Sequence, residues 1–397
     1  MQFRNVIGLA QTKSHLLQMV QQNRVSHALM FLGPEGCGGL ALARAFSQFL
    51  FCEKVKNSGN PGPSLFGDDP SSPPEDSCGE CSSCRKASSM IHPDIHYSYP
   101  VVRPDKSDRP PVSADYITQW REFNSMNPYG NLYDWLQFIK AENKQGNITS
   151  RECEEIMHKM SLKSFEAGYK ILIMWMPEAL GNEGNKLLKL IEEPPSDTLF
   201  IFVAENQSNI LPTIMSRVQL VALPRLTTTE ISTALVNREN VEDKTANDAA
   251  MMAAGNYRNA LLALDEGENN WDGILKDWMK AIVRTGPADQ FKWVEAMAKF
   301  GREQQKQFLL YFNQLLSQAI HLRTLPAPDA GSQQPVRPDM AERLNKLCTV
   351  EQQHAIIEEL DKSIYYIERN ANAKILFHAL TIRLYHIITN KSVILVN

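Results

Sequence analysis

The sequence predicts an α/β domain of the phosphate-loop type, built on a parallel sheet and followed by helices alone. Three observations carry this expectation. Short apolar runs alternate with helix-like stretches up to about residue 223, the pattern of strands joined through helices. A glycine-rich octet, Gly33-Pro34-Glu35-Gly36-Cys37-Gly38-Gly39-Leu40, stands between one such run and a helix. From Pro224 onward the apolar spacing is helical. At 397 residues two or three domains are expected, here 1–223, 224–270 and 271–397, and 43% hydrophobic content is enough for real cores.

The first run, Ala28-Leu29-Met30-Phe31-Leu32, reads as a buried strand, and the stretch from about Leu40 to Phe51 as a helix. The octet between them has the frame of G-x-x-x-x-G-K-[ST]. In that motif Lys neutralises the β- and γ-phosphates and the hydroxyl ligates Mg²⁺. Gly39 and Leu40 stand at those two positions, so Gly33, Gly38, Gly39 and Leu40 outline a degenerate loop. A lone octet of this kind also occurs in ordinary turns. The stretch Tyr169–Leu180 reads as a second apolar strand, and active nucleotide hydrolases of this type end that strand in Asp-Glu. Trp175 and Met176 stand in register with those carboxylates and read as core residues, while Glu178 reads as a solvated loop acid. With Lys, hydroxyl and acidic pair all missing, no intrinsic ATPase and no functional ATP/Mg²⁺ site are expected. Weak nucleotide binding through the loop N–H groups and Arg258 stays open.

Asn185–Pro195 reads as a helix stopped by a double proline, then Leu199–Ala204 as a strand, then Ile210–Arg217 as a short element ending in Ser216-Arg217. Thr227-Thr228-Thr229-Glu230 offers a helix N-cap with an acid in the first turn. The tail from Ile274 shows helix after helix, including Phe308, Leu309, Phe312, Leu315, Leu316 and Ala319 on one face. A proline-rich link over 325–338 divides it, and Ile375, Leu376, Ala379, Leu380, Ile382, Arg383 and Leu384 form a last helix with a wide apolar face.

Two stretches interrupt the α/β pattern. Asn57–Pro74 is rich in Gly, Pro and Ser and reads as a flexible excursion. Residues 101–150 hold Tyr129, Tyr133, Trp135 and Phe138; they read as a surface elaboration packing a few aromatics or as a partner-docking patch. Cys78-x-x-Cys81-x-x-Cys84 offers three thiolates at tetrahedral-zinc spacing, and Cys52, at the end of the first helix, is the candidate fourth ligand across 25 intervening residues. A closed four-thiolate site has no open position for substrate, which argues for structural rather than catalytic zinc. Cys37, Cys153 and Cys348 read as buried thiols.

Net charge is −4. Phosphate neutralisation supplies most non-specific DNA affinity, so this balance gives no support to a stand-alone duplex-binding protein or a zinc-dependent DNA-binding regulator. Met1-Gln2-Phe3-Arg4-Asn5 does not open a signal peptide, and no apolar run approaches the about 18 residues of a membrane span. Clustered rather than evenly paired cysteines suit a reducing cytoplasm.

Taken together, Ser26-His27-Ala28, His92-Pro93-Asp94, Leu187-Leu188-Lys189-Leu190-Ile191-Glu192-Glu193-Pro194-Pro195, Ser216-Arg217-Val218 and Gly255-Asn256-Tyr257-Arg258-Asn259 resemble the clamp-loader branch of the AAA+ ATPases over about residues 4–265, and more weakly beyond. The resemblance implies an AAA+ sheet domain with an inserted zinc knob (52–84), a small helical lid and an all-α collar. It implies a hetero-pentameric ring with gamma/tau-type and delta subunits, acting on a sliding clamp and primer-template DNA. It further implies that Arg217 serves as an arginine finger in trans; on spacing alone a structural arginine fits as well. The alternative within the same family is a motor-type ATPase subunit.

Overall fold

The computed structural model describes residues 1–58, 74–103, 109–141, 144–166, 168–265, 271–324, 338–369 and 371–389. Most of the Gly/Pro/Ser-rich excursion and the proline-rich link at 325–337 lie outside the described residues. The chain forms two compact units, Met1–Leu261 and Leu262–Asn397.

The first unit opens with helix α1 (Ala10–Gln21), followed by strand β1 (Ala28–Leu32) and helix α2 (Gly39–Phe51). Short helices α3 (Glu53–Ser58) and α4 (Ser82–Ser88) flank the cysteine cluster, and β2 spans Ile95–Ser98. Helices α5 (Ile117–Met126) and α6 (Leu132–Phe138) come from the 101–150 segment, and α7 spans Ser150–Ser161. After them come β3 (Lys170–Trp175), a 3₁₀ segment Pro177–Leu187, α8 (Leu188–Glu192), β4 (Thr198–Ala204), α9 (Pro212–Met215) and β5 (Gln219–Ala222). Helices α10 (Thr228–Glu239), α11 (Asp243–Met252) and α12 (Tyr257–Asp265) complete this stretch.

All five strands are parallel, in the order β2-β3-β4-β1-β5. Residues along a strand alternate faces. Ala28, Met30, Leu172, Met174, Phe200 and Phe202 pack with Ile156 and Met160 of α7 and Leu187 and Ile191 of the segment after β3. The opposite face takes α2, where Phe46 meets Phe31 at 6.4 Å between ring centroids. Burial on both faces explains the near-continuous apolar runs of β1, β3 and β4.

Two boundaries differ from expectation. The strand read over Tyr169–Leu180 stops at Trp175, because Met176 adopts φ 57° and Pro177 starts the 3₁₀ segment. Helical structure then begins before Asn185, with only Leu188–Glu192 truly α-helical ahead of the double proline. The N-cap at Thr227 is present, its hydroxyl accepting from the Glu230 N–H.

The second unit is all helical: α13 (Trp271–Lys280), a π-helical turn Ala281–Thr285, α14 (Pro287–Met297), α15 (Arg302–Thr324), α16 (Pro338–Leu347), α17 (Val350–Glu368) and α18 (Ala373–Thr389). Its core holds Trp278 stacked on Trp293 at 4.4 Å, with the Trp278 indole N–H donating to Thr381 Oγ1 at 3.0 Å. On α18, Phe377, Leu380 and Leu384 are buried while Ile375 and Ile382 stand in solvent. No described helix is long and apolar enough to cross a membrane.

Candidate functional site

The loop after β1 leaves the carboxyl edge of the sheet between β4 and β5, where ligands bind in open α/β sheets. Its frame is that of a phosphate loop. Gly33 N–H donates to Ala204 O at 3.1 Å, Gly36 and Gly38 take φ of 72° and 93°, and α2 starts at Gly39. A Cβ on Gly39 would lie 3.0 Å from Val203 Cγ1 and 3.3 Å from Leu223 Cδ1, and Leu40 is buried. The two positions that should carry charge and hydroxyl therefore face apolar neighbours. Burial pushes the Cys37 thiol up to about 12, so it is inert at neutral pH.

The surface of the loop is covered by the chain itself. A Cβ on Gly36 would sit 1.8 Å from Asn256 Oδ1. Asn256 Nδ2 donates to Glu35 Oε1 at 3.2 Å, and the Tyr257 N–H donates to Gly36 O at 3.2 Å. The Tyr129 ring lies over Gly38, where an added Cβ would be 2.6 Å from it. Tyr129 Oη accepts from the Ile7 N–H at 2.8 Å, and its ring meets Tyr257 at 5.0 Å with Arg238 over both rings. Arg258 is buried and forks onto Asp134 through Nε and Nη2, with Glu35 at 3.5 Å from Nη1.

At the end of β3, Trp175 is buried, as expected, against Trp120 of α5 at 5.2 Å; Met176 is only half-buried. Glu178 is not a solvated loop acid. Its carboxylate is half-buried and accepts from the Glu205 and Asn206 N–H groups at 2.7 and 2.8 Å, capping the chain as it leaves β4. Burial raises its pKa against those two hydrogen bonds. The 101–150 segment packs its aromatics, as read, but into the core rather than at the surface: Trp120 and Trp135 are fully buried, and Trp120 stacks on Tyr99 at 3.9 Å. Its anchoring was missed because an insertion has no periodicity that says where it docks. The Asn131-x-x-Asp134 capping box was a usable signal for α6.

Arg217 follows the short helix α9 and is about one-third exposed at its side chain. Its guanidinium pairs with Glu192 and donates through Nη1 to Thr213 O at 2.8 Å and Ser216 Oγ at 2.9 Å.

The four cysteines come together. The Sγ atoms of Cys52, Cys78, Cys81 and Cys84 all lie within 4.8 Å of one another, with Cys78 and Cys84 at 3.9 Å. Tetrahedral Zn–S bonds of about 2.3 Å require sulfurs about 3.8 Å apart, so the donor set fits such an ion. Peptide N–H groups of Cys78, Glu80, Cys81 and Cys84 point at these sulfurs at 3.2–3.5 Å, as they would at thiolates. Burial pushes the Cys78 thiol up, but hydrogen bonds from the Cys81 and Glu80 N–H groups and from the Cys52 and Cys81 side chains together bring it down to about 6. Cys52, the candidate fourth ligand across the 25-residue gap, joins the cluster from the C-cap of α2. Cys37, Cys153 and Cys348 are buried and free, as read.

Comparison with known proteins returns one family. The family described as "DNA polymerase III, delta subunit" matches residues 8–227. Among curated relatives, DNA polymerase III subunit delta' of Pseudomonas aeruginosa is 26% identical over 50% of this chain and 43% of its own length. DNA polymerase III subunit tau of Bacillus subtilis is 25% identical over 75% of this chain and 43% of its own length. The delta' subunit of Escherichia coli is 24% identical over 77% of this chain and 73% of its own length. The chain thus spans less than half the length of the first two relatives. Because the family match covers more than half of the chain, the protein belongs to the DNA polymerase III delta-subunit family of clamp-loader proteins.

Proposed function

We propose that this chain is a delta-prime-type subunit of a DNA polymerase III clamp loader, which hydrolyses no ATP itself and completes a neighbour's ATP site with Arg217. The observation that carries the reading is the loop Gly33–Leu40. It keeps phosphate-loop geometry while Gly39 and Leu40 replace the phosphate Lys and the Mg²⁺ hydroxyl, and Trp175 replaces the first acid of the β3 end. Relatives named delta' and relatives named tau both align with it. Loss of the catalytic side chains favours the non-catalytic role over the motor-type subunit.

In this reading residues 1–223 form the AAA+ domain, 224–270 the lid and 271–397 a collar that joins a hetero-pentameric ring with gamma/tau and delta subunits. The ring, rather than this chain alone, meets the sliding clamp and primer-template DNA, in the cytoplasm. Cys52, Cys78, Cys81 and Cys84 would hold a structural zinc ion, which ties α2 to α4. Those four side chains do nothing to substrate; they orient the knob whose Asp76 accepts from the Phe3 and Arg4 N–H groups at 2.9 and 3.0 Å and so fixes the N-terminus.

Arg217 suits the finger role because it is an accessible guanidinium at a chain position set by Thr213, Ser216 and Glu192. An arginine supplied in trans contributes about 10³–10⁵ to phosphoryl-transfer rate. Arg217→Ala should assemble normally with the partner subunits and lower DNA- and clamp-stimulated hydrolysis at one ring site together with clamp loading. Lysine should rescue poorly, lacking the planar fork. Equal loading rates with wild-type and mutant chain, at equal assembly by gel filtration, would make Arg217 structural. ATP turnover by the isolated chain would instead favour the motor-type reading.

A further inference from the structure

We propose that the segment Ser113–Ile139 is the chain's own occupant of its disabled nucleotide site, holding the loop Gly33–Leu40 and helix α12 together without any ligand. The inference rests on the reading of that loop as a disabled phosphate loop and goes further, assigning a role to a segment the family resemblance does not explain.

Two side chains of the segment make the argument. Tyr129 is an aromatic ring seated directly on Gly38, the N-cap glycine of α2. Its hydroxyl takes the Ile7 N–H, and its faces are taken by Tyr257 and Arg238, so the ring is enclosed by the loop, the N-terminal strap and α10 and α12. Asp134 is an anion on the same seam. It engages both Nε and Nη2 of Arg258, the arginine the sequence marks as able to touch a phosphate, while Glu35 of the loop approaches the third nitrogen. A nucleotide presents the same two chemical parts, a flat ring and an anion. An incoming phosphate would have to displace a bidentate carboxylate from a buried guanidinium, and an incoming ring would have to displace a buried tyrosine. The base of the segment is fixed independently, by Trp120 on Trp175 and by the Trp135 indole N–H donating to Pro100 O at 2.7 Å. It is thus a built part of the core rather than a loop resting on the site.

A structural alternative exists for Asp134, since it also closes the capping box of α6 with Asn131. The test separates the two. Hydrogen exchange would be followed by mass spectrometry on the full chain for wild type, Asp134→Asn, Arg258→Gln and the double variant, with and without millimolar Mg-ADP. Asparagine keeps an acceptor for the cap but removes the charge, and Arg258→Gln leaves the cap untouched. Expected are rises of about tenfold or more in exchange at Cys37–Gly38 and at the start of α12 in either single variant, with β3 and β4 unchanged. The double variant should add little to either single, because the two residues form one pair. Wild type should show no change with Mg-ADP. Exchange that rises only within Leu132–Phe138, or in none of these places, would overturn the proposal. So would protection of the wild-type loop by Mg-ADP; binding of that kind without turnover would leave the non-catalytic reading standing. Silent variants in a chain that still refuses nucleotide would sink the proposal alone.

Discussion

Trp120→Ala measures how firmly the inserted segment is built into the α/β unit. The ring is fully buried, stacked on Tyr99 at 3.9 Å, edge-on to Trp135 at 5.1 Å and tilted against Trp175 at 5.2 Å. A Trp side chain buries roughly 150–250 Å². At about 25 cal/mol/Å² this sets a ceiling of about 4–6 kcal/mol. Alanine retains a little of that area and the denatured chain already hides some, while an unfilled cavity adds cost, so about 3–5 kcal/mol is expected. That is roughly two to four powers of ten in the unfolding equilibrium. Trp120→Phe, which keeps most of the ring, should cost under about 2 kcal/mol. Urea unfolding followed by circular dichroism gives the values. Because the chain has two units, the transition must be assigned by exchange at β3 and β4 before a single free energy is read from it. A loss within about 0.5 kcal/mol, the range of ordinary surface substitutions, would refute the placement of Trp120 and with it the anchoring of the segment.

Three further outcomes follow from the same geometry. Protein purified without chelator should carry about one zinc per chain, and Cys52→Ser should lose it and speed exchange at Phe3 and Arg4, whose N–H groups Asp76 holds; unchanged metal content by mass spectrometry would exclude Cys52 as a ligand. Gly39→Lys should not restore ATP hydrolysis, because its Cβ presses on Val203 at 3.0 Å and Leu223 at 3.3 Å and the β3 acids remain absent; turnover in a phosphate-release assay would refute this. Glu178 has a folded pKa raised by burial, so the folded state binds the proton more tightly, and its contribution to stability falls as pH rises from the unfolded to the folded pKa. Glu178→Gln should flatten that part of the stability–pH curve, and an unaltered curve from denaturant midpoints would show that the carboxylate is adequately solvated.

What the sequence disclosed depended on whether the signal was local. β1 and the start of α2 could be bounded to within a residue because an apolar run meets glycines that need positive φ at Gly36 and Gly38. The Cys78, Cys81 and Cys84 triplet was legible from spacing alone. Cys52 was less so, since its closeness to the triplet depends on where α2 ends against α4. The long-range partners of Glu178, Tyr129 and Asp134 were not legible at all. Each is a polar or amphipathic side chain whose partner lies far away in sequence: the N–H groups of Glu205 and Asn206, the N–H of Ile7, and the guanidinium of Arg258. Hydropathy and periodicity register which face is apolar, and carry no record of which distant donor a carboxylate will meet.

That difference bears on why a disabled loop retains its shape. A nucleotide bound at the loop would bridge it to the helix bearing Arg258, its phosphates offering the anion that a guanidinium pairs with. On the reading proposed above, lack of the phosphate Lys, the Mg²⁺ hydroxyl and the acids weakens any such bridge, and a buried arginine left without an anion costs several kcal/mol. The fold tolerates Arg258 at 5% exposure because Asp134 and Glu35 stand in its reach. Gly36 and Gly38 likewise keep a purpose without a phosphate, since Asn256 and Tyr129 approach closer than any Cβ at those positions would allow. The glycines of the loop therefore have packing grounds of their own: replacing Gly36 or Gly38 by alanine would force both a strained φ and a displaced neighbour, whether or not any nucleotide ever arrives.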